Sequence, residues 1–451
     1  MNRNYQLGDA RLEKRLDRLV ERFSQVPAQS IPQVFGEWSD TKAAYRFFAN
    51  PKVTHEALVA GQREETRQRI KERGEQTVLM VQDTTSFDFK HHPNTEGMGP
   101  LDNEYMRGFW AHSTLAVSAI GVPIGLWKQQ VWVRDEAETG KRHQRHQRAF
   151  EEKESHKWVE GLPEAKALGE ETRLIGVCDR EAHIYEFFAA CVSRGLDFIV
   201  RASKGRSFTT AEQPLFAAIA QQPAQAEYIL ELKRRPDREA RQAQVEIRFA
   251  RFPIREANRA DTGYAELTLG VVEVREPHPP PGEEAVQWVL LTTLSVDTLE
   301  QAYQVVEWYS MRWLIERFHY VLKSGCRLEE RQLSTRLALE RLLGVFNLVA
   351  WRLLWLTHQA RQTPDASCLL ALSQDEWQAL YAHIHQTASI PELPPTLRQA
   401  TRWIAQLGGF LGRKSDGEPG VKVLWRGWMR LQDIVVMWHL AHPAPQDVGN
   451  V

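Results

Sequence analysis

A chain of 451 residues is longer than one hydrophobic core usually organises, so two or three domains are expected. Its 43% hydrophobic and 25% charged residues describe a globular protein, and a formal charge of −1 excludes a globally basic surface, so any nucleic-acid footprint must be local. Four scattered cysteines form no CxxC pair, no leader opens the chain, and no run of about 18 apolar residues occurs, which reads as a reduced, cytoplasmic protein with no membrane partner and no zinc site or disulfide framework.

The first 65 residues read as helical. In DARLEKRLDRLVERFSQVP, the apolar residues Leu12, Leu16, Leu19, Val20 and Phe23 share one helical face, Asp9 is placed as the N-cap and Pro27 lies past the end. A second short helix fits DTKAAYRFFANP, capped by Asp40. Strand signals follow. VLMVQD is an apolar run ending in Asp83, HSTLAVSAIGVPIGLWKQQVWV reads as two strands around a GVPIG turn, and RLIGVCD ends in Asp179. HIYEFFAACVSRG has helical periodicity and DFIVRAS is a further strand, so the order is mixed α/β. From about residue 204 to 294, alternating stretches such as YILELK and QVEIRFARF predict an antiparallel β insertion. A long helix is predicted from about Thr298 to Lys323, and helix continues through LERLLGVFNLVAWRLLWL. After Thr363-Pro364 the chain is helical and rich in tryptophan.

The stretch YSMRWLIERFHYVLKSG, from Tyr309 to Gly325, carries the chemistry. On a continuous helix at about 100° per residue, Tyr309, Arg312, Glu316 and Lys323 fall within a sector of roughly 60° that borders the apolar face. Such a stripe can line a cleft. It can equally be a solvated face with an Arg312–Glu316 pair worth about 0.3 to 0.5 kcal/mol. Asp83 and Asp179, each at the end of a predicted strand, stand where α/β sheets open their crevices, although a strand-end aspartate is more often a cap or turn residue. Two aspartates and a glutamate from a helix on the same sheet would make an all-oxygen cluster suited to Mg²⁺ or Mn²⁺, and two such ions suit phosphodiester chemistry.

Together, DTTSFDF around Asp83, VCDREAHIYEF around Asp179 and the Tyr309-x2-Arg312-x3-Glu316-x6-Lys323 pattern resemble the DDE transposases of the insertion-sequence-four family, the YREK-signature group that includes the Tn-five element. QLGDARLEKRL, EEKESHKW and GGFLGRKSDGEPGVKVLWRGW look like further family blocks, in family order. The resemblance implies a ribonuclease-H-like α/β core interrupted by the β insertion, with Asp83, Asp179 and Glu316 holding two divalent metals. It implies nicking at the element's end, hairpin formation and opening, and strand transfer into target DNA. Arg312 and Lys323 match residues that grip phosphates, Arg201 matches another basic contact, Tyr309 matches a residue contacting the flipped nucleotide or its phosphate, and Trp288 matches an aromatic that holds a flipped base. Three parts are expected: a DNA-binding domain (1–65), the catalytic core (66–364) and a dimerisation domain (365–451) that pairs two protomers on the terminal inverted repeats. In that last part Trp403, Trp425, Trp428 and Trp438 suit an interface or a small core. The basic run GKRHQRHQR (Gly140–Arg148) reads as a DNA-backbone patch or a solvated loop. Relatives carry a segment ahead of the LGD block where this chain has Met1-Asn2-Arg3-Asn4. A metal-dependent nuclease on the same core and an inactive end-binding regulator are the alternative functions.

Overall fold

The computed structural model describes residues 5, 7–103, 105–138, 148–169, 171–206, 208–210, 213–232, 241–256, 266–413 and 416–442. Residues 1–4 and most of the basic run at 140–148 lie outside the described residues.

Four helices open the chain: α1 (Ala10–Gln25), α2 (Ile31–Phe35), α3 (Trp38–Ala49) and α4 (His55–Arg73). Asp9 caps α1 by accepting the Arg11 N–H at 2.9 Å, and Leu16, Leu19, Val20 and Phe23 are buried, as the periodicity predicts. Asp40 is not a cap. The helix begins two residues earlier, and Asp40 instead pairs with Arg18 across to α1. Helix α4 runs through residue 65 and lies against strand β4 described below; Thr66 Oγ1 donates to the Leu126 carbonyl at 3.0 Å. A Cβ on Gly125 would come within 2.1 Å of Thr66 Oγ1, so that close approach requires glycine.

The next elements are β1 (Thr77–Asp88), β2 (Gly99–Pro100), β3 (Arg107–Ser118), β4 (Pro123–Trp132), α5 (His156–Glu160), β5 (Arg173–Cys178), α6 (Tyr185–Ser193) and β6 (Asp197–Arg201). Strands β7 (Phe208–Thr209), β8 (Ala226–Leu232), β9 (Arg241–Glu256), β10 (Leu267–Arg275) and β11 (Gln287–Thr292) follow, with helix α7 (Leu215–Ala220) after β7. Among the described residues, eleven strands join one sheet, in the order β2-β3-β1-β5-β6-β11-β10-β9-β7, with β4 on β3 and β8 on β9. Strands β1, β5 and β6 run parallel, β3 runs antiparallel to β1, and β4 turns back antiparallel to β3 to complete a meander, which fits a ribonuclease-H-like centre. Strands β7 to β11 pair antiparallel, as their alternation predicts. They are not a separate layer: β11 pairs with β6, so they prolong the central sheet.

Alternate side chains of β1 divide between two cores: Leu79 and Val81 join the helices of the chain's two ends, whereas Val78 and Met80 pack with residues of α6 such as Phe187 and Phe188. Helices α8 (Leu299–Ser310), α9 (Trp313–Tyr320), the 27-residue α10 (Arg336–Gln362), α11 (Gln374–His385), α12 (Leu397–Leu407) and α13 (Val421–Ala441) complete the fold. Buried arginines fasten α10 and its approach to the first helices. Arg341 donates to the Phe48 carbonyl at 2.8 Å, and Arg331 bonds the Pro27 and Gln29 carbonyls. Trp428 is buried, and Trp403, Trp425 and Trp438 pack against the same core. Among the described residues no helix is long and apolar enough to cross a membrane, and the four cysteines are free and buried.

Candidate active site

The predicted continuous helix from Thr298 to Lys323 is broken. Helix α8 stops at Ser310, α9 starts at Trp313, and residues 321–325 widen into a π-helical turn. At the junction the backbone bonds shorten to three-residue spacing, Met311 N to Trp308 O at 3.1 Å and Arg312 N to Tyr309 O at 3.0 Å. The uniform 100° step fails there, so Tyr309 leaves the stripe. Its side chain is buried and meets Trp288 of β11 edge to face, ring centroids 5.6 Å apart.

Asp83 is not at the end of its strand either. Pairing of β1 with β5 stops at Val81, whereas pairing with β3 continues through Asp83↔Ser113 to Asp88↔Gly108, carried by the Thr84-Thr85-Ser86 run. Asp83 therefore stands at the edge of the parallel pairing, and Asp179 follows directly after β5 at the same edge. Asp179 does what the commoner reading of a strand-end aspartate foresees: it caps a short turn by accepting the Glu181 N–H at 2.8 Å. Glu316, exposed on α9, is bound to Arg312, and Arg312 Nη1 also lies 3.8 Å from Asp83 Oδ2. One guanidinium thus joins two of the three carboxylates.

The electrostatics follow from that crowding. Burial raises the Asp83 carboxyl to about 7; Arg312 opposes the rise, and the negative charges of Asp179 and Glu316 add to it. Asp179 is also raised, by burial first. Among the described residues no three His, Cys, Asp or Glu side chains stand close enough to hold one ion. The donor set is nevertheless hard oxygen with excess negative charge, which fits a hard divalent cation, and Arg312 supplies a positive charge between Asp83 and Glu316.

Arg201 closes β6, donates to the Gln287 carbonyl at 2.9 Å and faces Tyr309. Trp288, the next residue along β11, is half-buried. Lys323 lies in the π turn, its ammonium 5.7 Å from the Phe87 ring centroid and 3.8 Å from Glu329, which in turn accepts the Asp88 N–H at 2.9 Å. The structure therefore gathers Arg201, Trp288, Tyr309 and Arg312 into one group and places Lys323 apart from it, over Phe87 of β1. Lys157, inside the EEKESHKW block, was assigned no role in the sequence; its ammonium lies 3.3 Å from Glu181 and lowers the Asp179 carboxyl. A lysine in a helical turn carries no local signal of that contact.

Three family models match successive parts of the chain. A transposase DNA-binding model matches residues 2–53, a transposase DDE domain model matches residues 128–351, and a transposase Tn5 dimerisation domain model matches residues 348–445. A mixed α/β core with a DDE domain defines a metal-dependent DNA-cleaving enzyme. The chain belongs to the Tn5-like DDE transposases: it is a DNA transposase that binds DNA and forms homodimers. Asp179, Arg201, Trp288, Tyr309, Arg312, Glu316 and Lys323 lie inside the matched DDE segment, and Asp83 lies ahead of it.

Proposed function

We propose that this transposase works by cut-and-paste: a nick at the element's end, attack of the freed 3′-hydroxyl on the opposite strand to form a hairpin, opening of that hairpin, and strand transfer into target DNA. The observation that carries the reading is the pairing of Arg312 with both Asp83 and Glu316 beside Asp179, with an Asp83 carboxyl raised to about 7 by burial first and by its carboxylate neighbours. Asp83, Asp179 and Glu316 are the residues that would hold two Mg²⁺ or Mn²⁺ ions. Bound there, such ions supply Lewis-acid stabilisation of the phosphorus oxygens and a more acidic attacking hydroxyl.

The chain's own groups do the positioning. Arg312, released from its carboxylates, grips a phosphate by a planar fork, and Lys323 and Arg201 add cationic contacts on either side. Trp288 offers a ring on which an extruded base stacks, and Tyr309, buried behind it, holds that ring in place and offers its hydroxyl. With Tyr309, Arg312, Glu316 and Lys323 in these roles, the chain falls in the YREK-signature group. Strands β7 to β10 are then an insertion in a ribonuclease-H-like core spanning about 66–364, between a DNA-binding domain (1–65) and a dimerisation domain (365–451).

A strand-transfer assay with Mg²⁺, on DNA bearing the inverted repeats that flank the gene, tests this. Joined products are expected. Cleavage without joining would make the protein a structure-specific nuclease, and binding without cleavage an end-binding regulator.

A further inference from the structure

An open cleft of about 530 Å³ lies between the end of the Glu316 segment and α13. That is within the range of about 300–1,000 Å³ that holds small ligands. Its lining includes Lys323, Arg327, Trp425, Arg426 and Met429. The two glutamates on the wall are already engaged: Glu329 takes the Asp88 N–H and stands beside Lys323, and Glu330 pairs with Arg327. They hold two cations at the rim. Arg426 is exposed and has no ion-pair partner among the described residues.

The aromatic side of the cleft is fixed. Trp425 donates its indole N–H to Met429 Sδ at 3.3 Å, and its ring lies so near Gly325 that an added Cβ there would be 3.8 Å from Trp425 Cδ2. Arg327 adopts the left-handed backbone region, φ 50° and ψ 47°, uncommon for a residue with a side chain. Ala28 also borders the cleft, next to the Pro27 and Gln29 carbonyls that Arg331 fastens to the Cys326 segment. Segments from all three matched parts of the chain therefore meet at this point. Lys323, which lines the cleft, lies over the Phe87 ring of β1, the strand that carries Asp83.

We propose that this cleft seats one nucleotide of the DNA strand that leaves the catalytic centre, with Arg426, Arg327 and Lys323 around its phosphodiester and Trp425 against its base. A cationic groove that tracks the backbone beside an aromatic ring is the arrangement by which proteins hold a single strand without reading its sequence. The inference rests on the reading of Asp83, Asp179 and Glu316 as the DNA-cleaving centre and extends it: α13, within the segment matched by the dimerisation model, also touches DNA. End-holding and subunit pairing then share one helix.

The test is the salt dependence of binding of the full chain, in EDTA, to a fluorescent duplex carrying the inverted repeat that borders the gene. Arg426→Ala should weaken binding several-fold and lower the log–log salt slope by about 0.9, the value for one lost phosphate contact. Arg426→Lys should restore the slope, and Trp425→Phe, which keeps an aromatic ring, should retain it with weaker affinity. A slope and affinity for Arg426→Ala equal to those of the unchanged protein overturn the proposal. Nicking of the same duplex after Mg²⁺ is added, by the unchanged protein and by Asp83→Ala, reports separately on the catalytic reading: loss of nicking in neither or failure in both leaves the cleft to be decided by the slope alone.

Discussion

His319 Nε2 lies 3.1 Å from Ser113 Oγ, and Ser113 is the cross-strand partner of Asp83. One buried hydrogen bond thus ties the helix that carries Glu316 to the strand pair that carries Asp83. It belongs to a longer network: Gln129 donates to Ser113 Oγ at 3.0 Å, and Gln129 Oε1 receives Asn347 of α10 at 2.7 Å and lies 2.9 Å from His55 of α4. Elements from the first helices, the sheet and α10 are registered against each other through polar groups that admit few alternative pairings.

Cutting that tie should cost stability and precision together. Ser113→Ala leaves a buried imidazole nitrogen without its partner and should destabilise the fold by about 1–3 kcal/mol, read from denaturant midpoints. His319→Gln, which keeps a polar side chain able to pair with Ser113, should lose less nicking activity than His319→Ala at equal DNA affinity. Equal activity in both would show that the contact does not position Glu316.

The buried histidines set the acid limit. Burial lowers His319 and His183 from 6.5 to about 3, and His112 lies well below its usual value for the same reason. The unfolded chain binds protons that the folded chain refuses, so the stability these groups contribute is present above about 6.5 and is lost as pH falls toward 3. At pH 5 His319 and His183 each cost about 2 kcal/mol relative to pH 7, and His112 acts in the same direction, so thermal unfolding should occur at clearly lower temperature at pH 5 than at pH 7.

Asp83 runs the other way. Its folded value of about 7 exceeds the ordinary 3.8, so the metal-free protein is favoured below 3.8 and loses that contribution as pH rises through 7. Asp83→Asn should therefore raise the melting temperature of the metal-free protein at pH 8, by the equivalent of about 2–4 kcal/mol, and change it little at pH 4. A destabilised variant at pH 8 would mean that the ionised carboxylate is held favourably by Arg312.

Trp288→Ala should slow hairpin formation about tenfold or more while sparing the first nick, because stacking worth about 1–3 kcal/mol is needed only when a base leaves the duplex. Gel resolution of nicked and hairpin products checks this, and equal loss at both steps would remove the base-holding role.

Much of this was legible in the sequence where the signal is local. The α1 face, the Asp9 cap, the β3–β4 hairpin and the apolar runs of β1 and β5 follow from period and turn chemistry alone. What was not legible depends on partners distant in the chain. The junction at Met311–Arg312 exists where Tyr309 is packed on Trp288, and Asp83 continues in a strand because β3 supplies a ladder beyond the end of β5. The site residues were recognisable as types at suggestive spacings. That Arg312 would stand between Asp83 and Glu316 was only half visible, as the i,i+4 pair with Glu316; the contact with Asp83 needed the fold.

The most direct test is nicking of inverted-repeat DNA, in Mg²⁺, by Asp83→Ala, Asp179→Ala and Glu316→Ala, each measured beside its affinity for the same DNA. All three should bind the end normally and fail to nick it. Cleavage that persists in any one of them would remove that residue from the catalytic centre and with it the three-carboxylate site.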